Sequence, residues 1–323
     1  LWHWPVVVAI MYFGWAGWHV VALGIAVCIL LACFSYYFIE KPLASIKGVF
    51  NNILAMFNYR VSFILCIVFA GVVFINEGIY TRKNNSDLYR QVDAISGDWA
   101  YPKANFVFEG HTKIRKITGN QKSKTLFLGD SLVEQYYPRI NELLNQNNSL
   151  NEVWFLTHGG CFPIKEMISF KRDCKNINEV DQVISAVHFE KIVIGGDWFN
   201  RFLIDEWHVS NGDDLITIDT IEGKKLALEY IDKLFEKTSK TTKQTYFILP
   251  LPIGSNYDVK YLARNAFLEN TIELGYPKSY FVNKYANFND EIIALANNYS
   301  ITIVDPVQKL CEPLYCEVVD ESG

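Results

Sequence analysis

Long apolar runs are concentrated in residues 1–80, whereas the rest of the chain alternates between short apolar segments and longer polar ones. Residues 20–39 contain no charged side chain, and 20 such residues are enough for a helix to cross a bilayer core. Residues 1–18 are apolar and rich in tryptophan, and residues 61–75 form a third apolar run. We therefore predict that residues 1–76 form transmembrane α-helices, with a buried core helix as the alternative for the third run.

Five short apolar segments interrupt the polar part of the chain. They are rich in β-branched and aromatic residues and are continuous rather than alternating, which is typical of strands buried on both faces. These segments are residues 125–128, 153–156, 191–195, 245–249 and 301–304. The segments between them that have helical spacing are residues 134–144, 179–187, 224–235 and 289–297. The alternation predicts an α/β domain in which helices cover both faces of a parallel sheet, giving three layers.

The segment of residues 77–124 lacks a clear period and contains glycine, proline and asparagine. We predict that it is a linker with an irregular lead-in. The predicted organisation is therefore a membrane part (residues 1–76), this linker, and an α/β domain (residues 125–323).

Candidate chemistry lies where the predicted strands end, because the cleft of a parallel sheet forms at the carboxyl ends of its strands. Gly129-Asp130-Ser131 follows the first strand, Gly159-Gly160 follows the second, and residues 195–200 follow the third. A serine at such a turn can act as a nucleophile, and glycines let backbone N–H groups approach a ligand. The turns predict a site for acyl transfer, although each motif alone is also common in structural turns.

Charge predicts how the apolar runs are oriented. The segment between the second and third runs carries Lys41, Lys47 and Arg60 and has no acidic residue after Glu40. Such a segment prefers the cytoplasm, so residue 60 is predicted to be cytoplasmic and residues 77–323 extracytoplasmic. Arg82 and Lys83, which follow the third run, reduce this contrast.

Cysteine usage supports an oxidising compartment for the α/β part. Three of the seven cysteines lie in the apolar runs, and the other four are Cys161, Cys174, Cys311 and Cys316. An even number suits two disulfides, and local pairing, Cys161 with Cys174 and Cys311 with Cys316, is the simplest of three connectivities. No histidine lies among them with zinc-like spacing, so we expect no metal site. The net charge of −5 does not indicate a nucleic-acid partner.

Several motifs resemble known families. Leu-Trp-His-Trp-Pro at residues 1–5 and Tyr-Tyr-Phe-Ile-Glu-Lys-Pro-Leu at residues 36–43 resemble the final spans of the acyltransferase-3 (AT3) family of membrane O-acyltransferases. The Gly-Asp-Ser block, the Gly-Gly-Cys-x-Pro segment and the tryptophan after the third strand resemble the SGNH hydrolase-like domain often fused to that family. The segment of residues 305–311, followed by Cys316, is similar to the region before that domain's last motif. The resemblance implies a flavodoxin-like fold for residues 125–323.

The resemblance also implies roles for individual residues. Ser131 matches the nucleophile, and Gly160, or its neighbour Gly159, matches a glycine whose N–H helps to form the oxyanion hole. The third oxyanion donor of the family is an asparagine in a Gly-x-Asn block. Here Asp197 and Trp198 follow two glycines instead, so Asn200 is the nearest candidate for that role.

The catalytic base of the family is an Asp-x-x-His pair near the C-terminus, and this chain lacks that spacing there. We expect the aspartate and histidine to lie beyond Gly323. His158, in the second turn, is the alternative base within the chain.

The function implied by the resemblance is O-acylation, usually O-acetylation, of an extracytoplasmic polysaccharide such as lipopolysaccharide through a serine acyl-enzyme. Acetyl-CoA would donate the acyl group to the membrane domain, and the chain itself would hold no bound cofactor. Its partners would be membrane lipid and the polysaccharide acceptor, with the protein integral to the plasma (inner) membrane. The alternatives are a carbohydrate esterase that uses the same serine and a noncatalytic glycan-binding module.

Overall fold

A computed structural model describes most of the α/β part of the chain and the first helices. The described residues are 2–13, 15, 17–41, 64, 67–68, 105–109, 112–119, 121–146, 151–175, 177–203, 206–258 and 275–317. The chain divides into two compact units. One contains residues 1–96, 255–273 and 321–323, and the other contains residues 97–254 and 274–320.

The first unit contains two apolar helices, α1 (His3–Phe13) and α2 (Trp18–Ser35), and a π-helical turn at Tyr36–Glu40. Within the described part of the chain, α2 is the one helix that is long and apolar enough to cross a membrane. Only 6% of this 18-residue helix is buried, and its large aliphatic side chains are exposed along its length. The second predicted run therefore forms a helix, whereas the third run, apart from three of its residues, lies outside the described residues.

The second unit is built on a seven-stranded sheet with the order β1-β2-β4-β3-β6-β9-β11. Its strands are β1 (Asn105–Glu109), β2 (Thr112–Ile117), β3 (Gln121–Gly129), β4 (Asn151–Thr157), β6 (Lys191–Gly195), β9 (Gln244–Ile248) and β11 (Thr302–Val304). Strands β4, β3, β6, β9 and β11 are parallel, and they contain the five predicted apolar segments except Leu249 and Ile301, which directly flank β9 and β11. Strands β2 and β1 add antiparallel pairs at one edge, so the prediction of a purely parallel sheet was wrong and the sheet is mixed.

The two edge strands lie in the segment predicted to be an irregular lead-in. In β2, the buried Ile114 and Ile117 are separated by Arg115 and Lys116, and these two side chains pair with Glu134 and Glu152. A strand with charged side chains between its apolar positions has no continuous apolar segment. The sequence pattern therefore did not indicate strand β2. Because β1 and β2 belong to the main sheet, the α/β domain begins before residue 125.

Helices cover both faces of the sheet. They are α3 (Ser131–Glu134), α4 (Tyr137–Gln146), α5 (Val180–Ala186), α6 (Trp198–Arg201), α7 (Ile221–Thr241), α8 (Lys278–Asn297) and α9 (Pro306–Leu310). Helix α4 packs on Val153 and Phe155 of β4. Helices α5, α7 and α8 pack in the main core, which contains Trp154 and Leu156. Because neighbouring residues of a strand point to opposite faces, the domain has the three predicted layers.

Two small sheets complete the second unit. Strands β5 (Met167–Ser169), β7 (Trp207–Ser210) and β8 (Leu215–Thr217) form an antiparallel sheet, and β10 (Gly275–Pro277) pairs with β12 (Tyr315–Glu317). Both predicted disulfides, Cys161–Cys174 and Cys311–Cys316, are present, and they lie beside these small sheets.

Removing the Cys161–Cys174 disulfide should destabilise the domain more than removing the other one. The two cysteines are 13 residues apart, whereas Cys311 and Cys316 are 5 apart. In the chain-entropy model, the longer loop predicts a loss of about 3 kcal/mol and the shorter one about 2 kcal/mol. Urea unfolding of the two paired Cys→Ala variants measures the difference, and a larger loss for the Cys311/Cys316 variant would contradict the model.

Candidate active site

Three turns begin side by side at one edge of the sheet. Gly129, the last residue of β3, pairs in register with Thr157 at the end of β4 and with Gly195 at the end of β6. The turns after these strands are residues 129–131, 158–160 and 195–200. The structure therefore brings together the three segments in which the sequence predicts a site.

The first turn requires close approach of two backbones. A Cβ atom at Gly129 would collide with the carbonyl oxygen of Gly195, so no other residue fits there without displacing a strand end. Asp130 caps α3, because its Oδ1 atom accepts a hydrogen bond of 2.9 Å from the N–H of Leu132.

Ser131 is the first residue of α3 and remains partly exposed, whereas Asp130 before it and Val133, two residues after it, are buried. Within the described residues, neither its hydroxyl nor its N–H takes part in a hydrogen bond. Its hydroxyl and its backbone N–H are therefore not engaged by the described part of the protein.

The second turn is held against the first one. The N–H of His158 donates a hydrogen bond of 3.1 Å to the carbonyl of Gly129, and the N–H of Cys161 closes the turn on the carbonyl of His158. Gly160 has a φ of +76°, and a Cβ atom there would collide with the guanidinium of Arg172. The N–H of Gly160 donates to no acceptor among the described residues.

Gly159 has no such constraint. A Cβ atom at this position would meet nothing within 4 Å, and the residue is exposed. The two glycines that the sequence left as alternatives therefore differ. Only Gly160 has a positive φ and a neighbour that a Cβ atom would meet.

The third turn contains Asp197 and Asn200. The N–H of Asp197 donates a hydrogen bond of 3.0 Å to Oδ2 of Asp130, which ties this turn to the first one. The amide Nδ2 of Asn200 donates to Oδ1 of Asp197 at 2.7 Å. Asn200 therefore lies at the predicted rim, with one of its two amide hydrogens used by the neighbouring carboxylate.

Burial raises the pKa of Asp197, and this effect exceeds the opposing hydrogen bond from Asn200 and the charge of Arg201. The raised pKa means that the folded state resists ionisation of this carboxyl group. The protonated carboxyl group of Asp197 therefore contributes to the free energy of unfolding below its ordinary pKa of 3.8. This contribution is lost as the pH rises through the higher pKa of the folded state.

An Asp197→Asn variant should therefore gain stability relative to the natural protein as the pH rises from 4 to 7. The amide keeps an oxygen that can accept from Asn200 but has no charge to desolvate. Urea unfolding of both proteins at the two pH values measures the difference in the free energy of unfolding. A difference that is independent of pH would show that the Asp197 carboxyl is not perturbed.

A buried ion pair connects all three turns, and the sequence did not reveal it. Nη2 of Arg201 lies 2.5 Å from Oδ2 of Asp130, and Nη1 of Arg201 donates to the carbonyl of Gly160. The guanidinium lies over the rings of Phe162 and Trp207, at 5.7 and 5.6 Å from their centroids. Asp130 belongs to the Gly-Asp-Ser motif, which is visible in the sequence. Arg201 belongs to no motif, and the residues around it do not distinguish it from a solvated arginine.

His158, the alternative base, contacts the disulfide of its own turn. Its Nδ1 atom lies 3.2 Å from the sulfur of Cys161, which is bonded to Cys174. Within the described part of the chain, it makes no hydrogen bond to Ser131. The structure therefore does not join these two residues as a nucleophile and its base.

Tyr285 also lies near the third turn, in ring contact with Phe199 at 4.8 Å. Burial raises the pKa of Tyr285 to about 12, and its hydroxyl donates to the carbonyl of Leu251 at 2.9 Å. Tyr285 therefore remains protonated near neutral pH and does not supply a base.

No group of three or more histidine, cysteine or acidic side chains that could hold a metal ion occurs among the described residues. A cavity of about 350 Å³ lies between residues 163–166 and helices α5 and α7, and no residue of the three turns lines it. Two of its lysines, Lys165 and Lys237, are paired with Glu166 and Asp181.

Comparison with known proteins identifies one family. A family model described as "SGNH domain (fused to AT3 domains)" matches residues 101–323. No curated protein matches the chain in sequence. Among solved structures, the periplasmic domain of the lipopolysaccharide acetyltransferase of Salmonella ser. Paratyphi A is similar, with 14% identity and a TM-score of 0.44. That match covers 75% of this chain and 88% of the Salmonella chain.

Proposed function

Because this chain belongs to the family of SGNH domains fused to AT3 domains, we propose that it is an O-acyltransferase that acetylates a polysaccharide through an acyl-enzyme at Ser131. The observation that carries the proposal is the meeting of two adjoining turns at the end of β3 and β4. One presents the hydroxyl and N–H of Ser131, and the other presents the N–H of Gly160, all without partners among the described residues.

This arrangement suits acyl transfer for an electrostatic reason. Attack of a serine on an acyl carbonyl places negative charge on the carbonyl oxygen, and fixed N–H donors stabilise that charge. We assign the N–H groups of Ser131 and Gly160 to the oxyanion hole. The remaining amide hydrogen of Asn200 is the third donor in this assignment, and its hydrogen bond to Asp197 fixes the amide.

The reaction has two half-steps. A base accepts the proton of Ser131 Oγ, which attacks the acyl carbonyl, and the donor's leaving group departs with a proton. A hydroxyl of the polysaccharide then attacks the acyl-serine and gives its proton to the base, so the sugar ester forms and Ser131 is restored. We assign the base to the Asp-x-x-His pair expected beyond Gly323.

The proposal includes an AT3 membrane domain fused to this SGNH domain, and the AT3 domain would supply the acyl group and set the compartment. That domain would take acetyl from cytoplasmic acetyl-CoA and pass it across the membrane, with α2 among its lipid-contacting helices. Residues 77–323 would then be extracytoplasmic, which is consistent with two disulfides in the second unit. The polysaccharide acceptor would be a cell-surface glycan such as lipopolysaccharide.

A partition experiment tests the proposal against the esterase alternative. Membranes with the complete natural protein are given acetyl-CoA carrying a ¹³C-labelled acetyl group, with and without purified polysaccharide. We expect labelled O-acetyl groups on the glycan and little free acetate. Free acetate as the main product in the presence of the glycan would indicate a hydrolase instead.

A further inference from the structure

We propose that Arg201 is a positioning residue, which holds the turn of residues 158–160 in place relative to the nucleophile Ser131. This inference rests on the acyl-enzyme function proposed above. The two partners of Arg201 are separated from it by 71 and 41 residues along the chain. One is Asp130, which precedes Ser131, and the other is Gly160, whose N–H we assign to the oxyanion hole. The side chain of Arg201 thus connects the turn that contains Ser131 with the turn that contains Gly160.

The chemistry of a guanidinium explains why an arginine occupies this position. Its donors lie in one rigid plane, so Nη2 can hold the Asp130 carboxylate while Nη1 holds the Gly160 carbonyl. The side chain is only 10% exposed and lies against the rings of Phe162 and Trp207, which restrict its rotation. A lysine has one charged nitrogen on a flexible stem and cannot reproduce this planar arrangement.

The hydrogen bond to Gly160 also fixes the direction of the oxyanion donor. The carbonyl of Gly160 points to Arg201, and its N–H lies on the other side of the same Cα atom. The carbonyl and the N–H belong to the two peptide groups on either side of this Cα atom, so holding the carbonyl restricts rotation of the turn at Gly160, whose φ is +76°. Without Arg201, this glycine turn would lose the side-chain contact that holds the Gly160 carbonyl, and glycine offers many other backbone orientations.

Arg201 also offsets a charge that opposes the reaction. The Asp130 carboxylate is 2% exposed and belongs to the residue next to the nucleophile. In a site of low dielectric constant, this negative charge would repel the oxyanion that develops in the transition state. The cationic side chain at 2.5 Å neutralises it.

The test must separate positioning from stability, because removing one partner of a buried ion pair destabilises a protein strongly. The key variant is therefore Asp130→Asn combined with Arg201→Met, which removes both charges and leaves an asparagine, a good helix cap, before α3. Urea unfolding should give this double variant a stability closer to that of the natural protein than the Arg201→Met variant has.

The readout is the rate at which a fluorophosphonate probe labels Ser131 in the complete natural protein. Ser131 Oγ attacks the phosphorus, fluoride leaves, and the proton passes to the base. We expect labelling of the double variant to be at least about tenfold slower than that of the natural protein, because the oxyanion donor is no longer oriented. A smaller decrease in a folded double variant would overturn the role of Arg201.

Chemical rescue gives a second readout that a structural role would not change. In an Arg201→Ala variant, added guanidinium ion should raise the labelling rate, whereas it should not do so in an Arg201→Lys variant. Equal responses of the two variants would also count against the proposal. If the natural protein is not labelled at Ser131 at all, the acyl-enzyme function itself fails, which is distinguishable from a failure of the Arg201 proposal alone.

Discussion

Replacing Ser131 with alanine is expected to abolish acetyl transfer to the polysaccharide while the domain stays folded. The hydroxyl makes no hydrogen bond within the described residues, so its removal should cost little stability. The catalytic loss should be large, on the order of 10⁶-fold, because a nucleophile and its base act as a unit. Acetyl content of the glycan, measured by NMR after expression of each variant, gives the result.

A matched control for this substitution is Ser185→Ala. Ser185 lies in α5 and its hydroxyl donates to the carbonyl of Asp181 at 2.7 Å, away from the three turns. We expect this variant to retain full transfer. If the Ser131→Ala protein is folded and the glycan remains acetylated, the Gly-Asp-Ser turn is structural, and a noncatalytic binding module becomes the better account of the domain.

Gly160→Ala is expected to have the second largest effect, and Gly159→Ala should have almost none. A Cβ atom at Gly160 must displace the guanidinium of Arg172, which is paired with Glu206 at 2.8 Å. An alanine at a positive φ also lowers the stability of the domain by about 1–2 kcal/mol. Displacing the N–H from the oxyanion hole should slow transfer by about 10²–10³-fold. At Gly159, the same methyl group would meet nothing within 4 Å.

Rates of transfer and unfolding free energies of the two variants, measured side by side, check this expectation. The neighbouring positions have the same residue type and the same substitution, so general effects of alanine in the turn cancel. Equal rates for the two variants would show that Gly160 is not an oxyanion donor.

The central strands could be predicted from sequence because their physical signal is local. A parallel strand buried on both faces needs continuous apolar residues, and residues 191–195 match β6 at both ends. Strand β2 was missed because charged residues lie between its buried ones, and β1 was missed because it has only three consecutive apolar residues. Their antiparallel pairing depends on neighbours that a local pattern does not show.

The site could be predicted only in part for a similar reason. Ser131 and Gly160 lie in short motifs at strand ends, and the two disulfides join cysteines that are close in sequence. The ion pair between Asp130 and Arg201 joins residues 71 apart, and its strength comes from burial that exists only in the folded domain. The family's base and the third apolar run remain predictions, because one is expected beyond Gly323 and most of the other lies outside the described residues.

The acyl-enzyme itself is the most direct test of the account. Membranes with the complete natural protein are incubated with labelled acetyl-CoA in the absence of polysaccharide, quenched in acid and digested with trypsin. We expect a labelled acetyl group on Ser131, within the tryptic peptide of residues 125–139, and loss of that label when polysaccharide is added before the quench. Active transfer to the glycan with no acetyl group on Ser131 under these conditions would contradict the proposed mechanism.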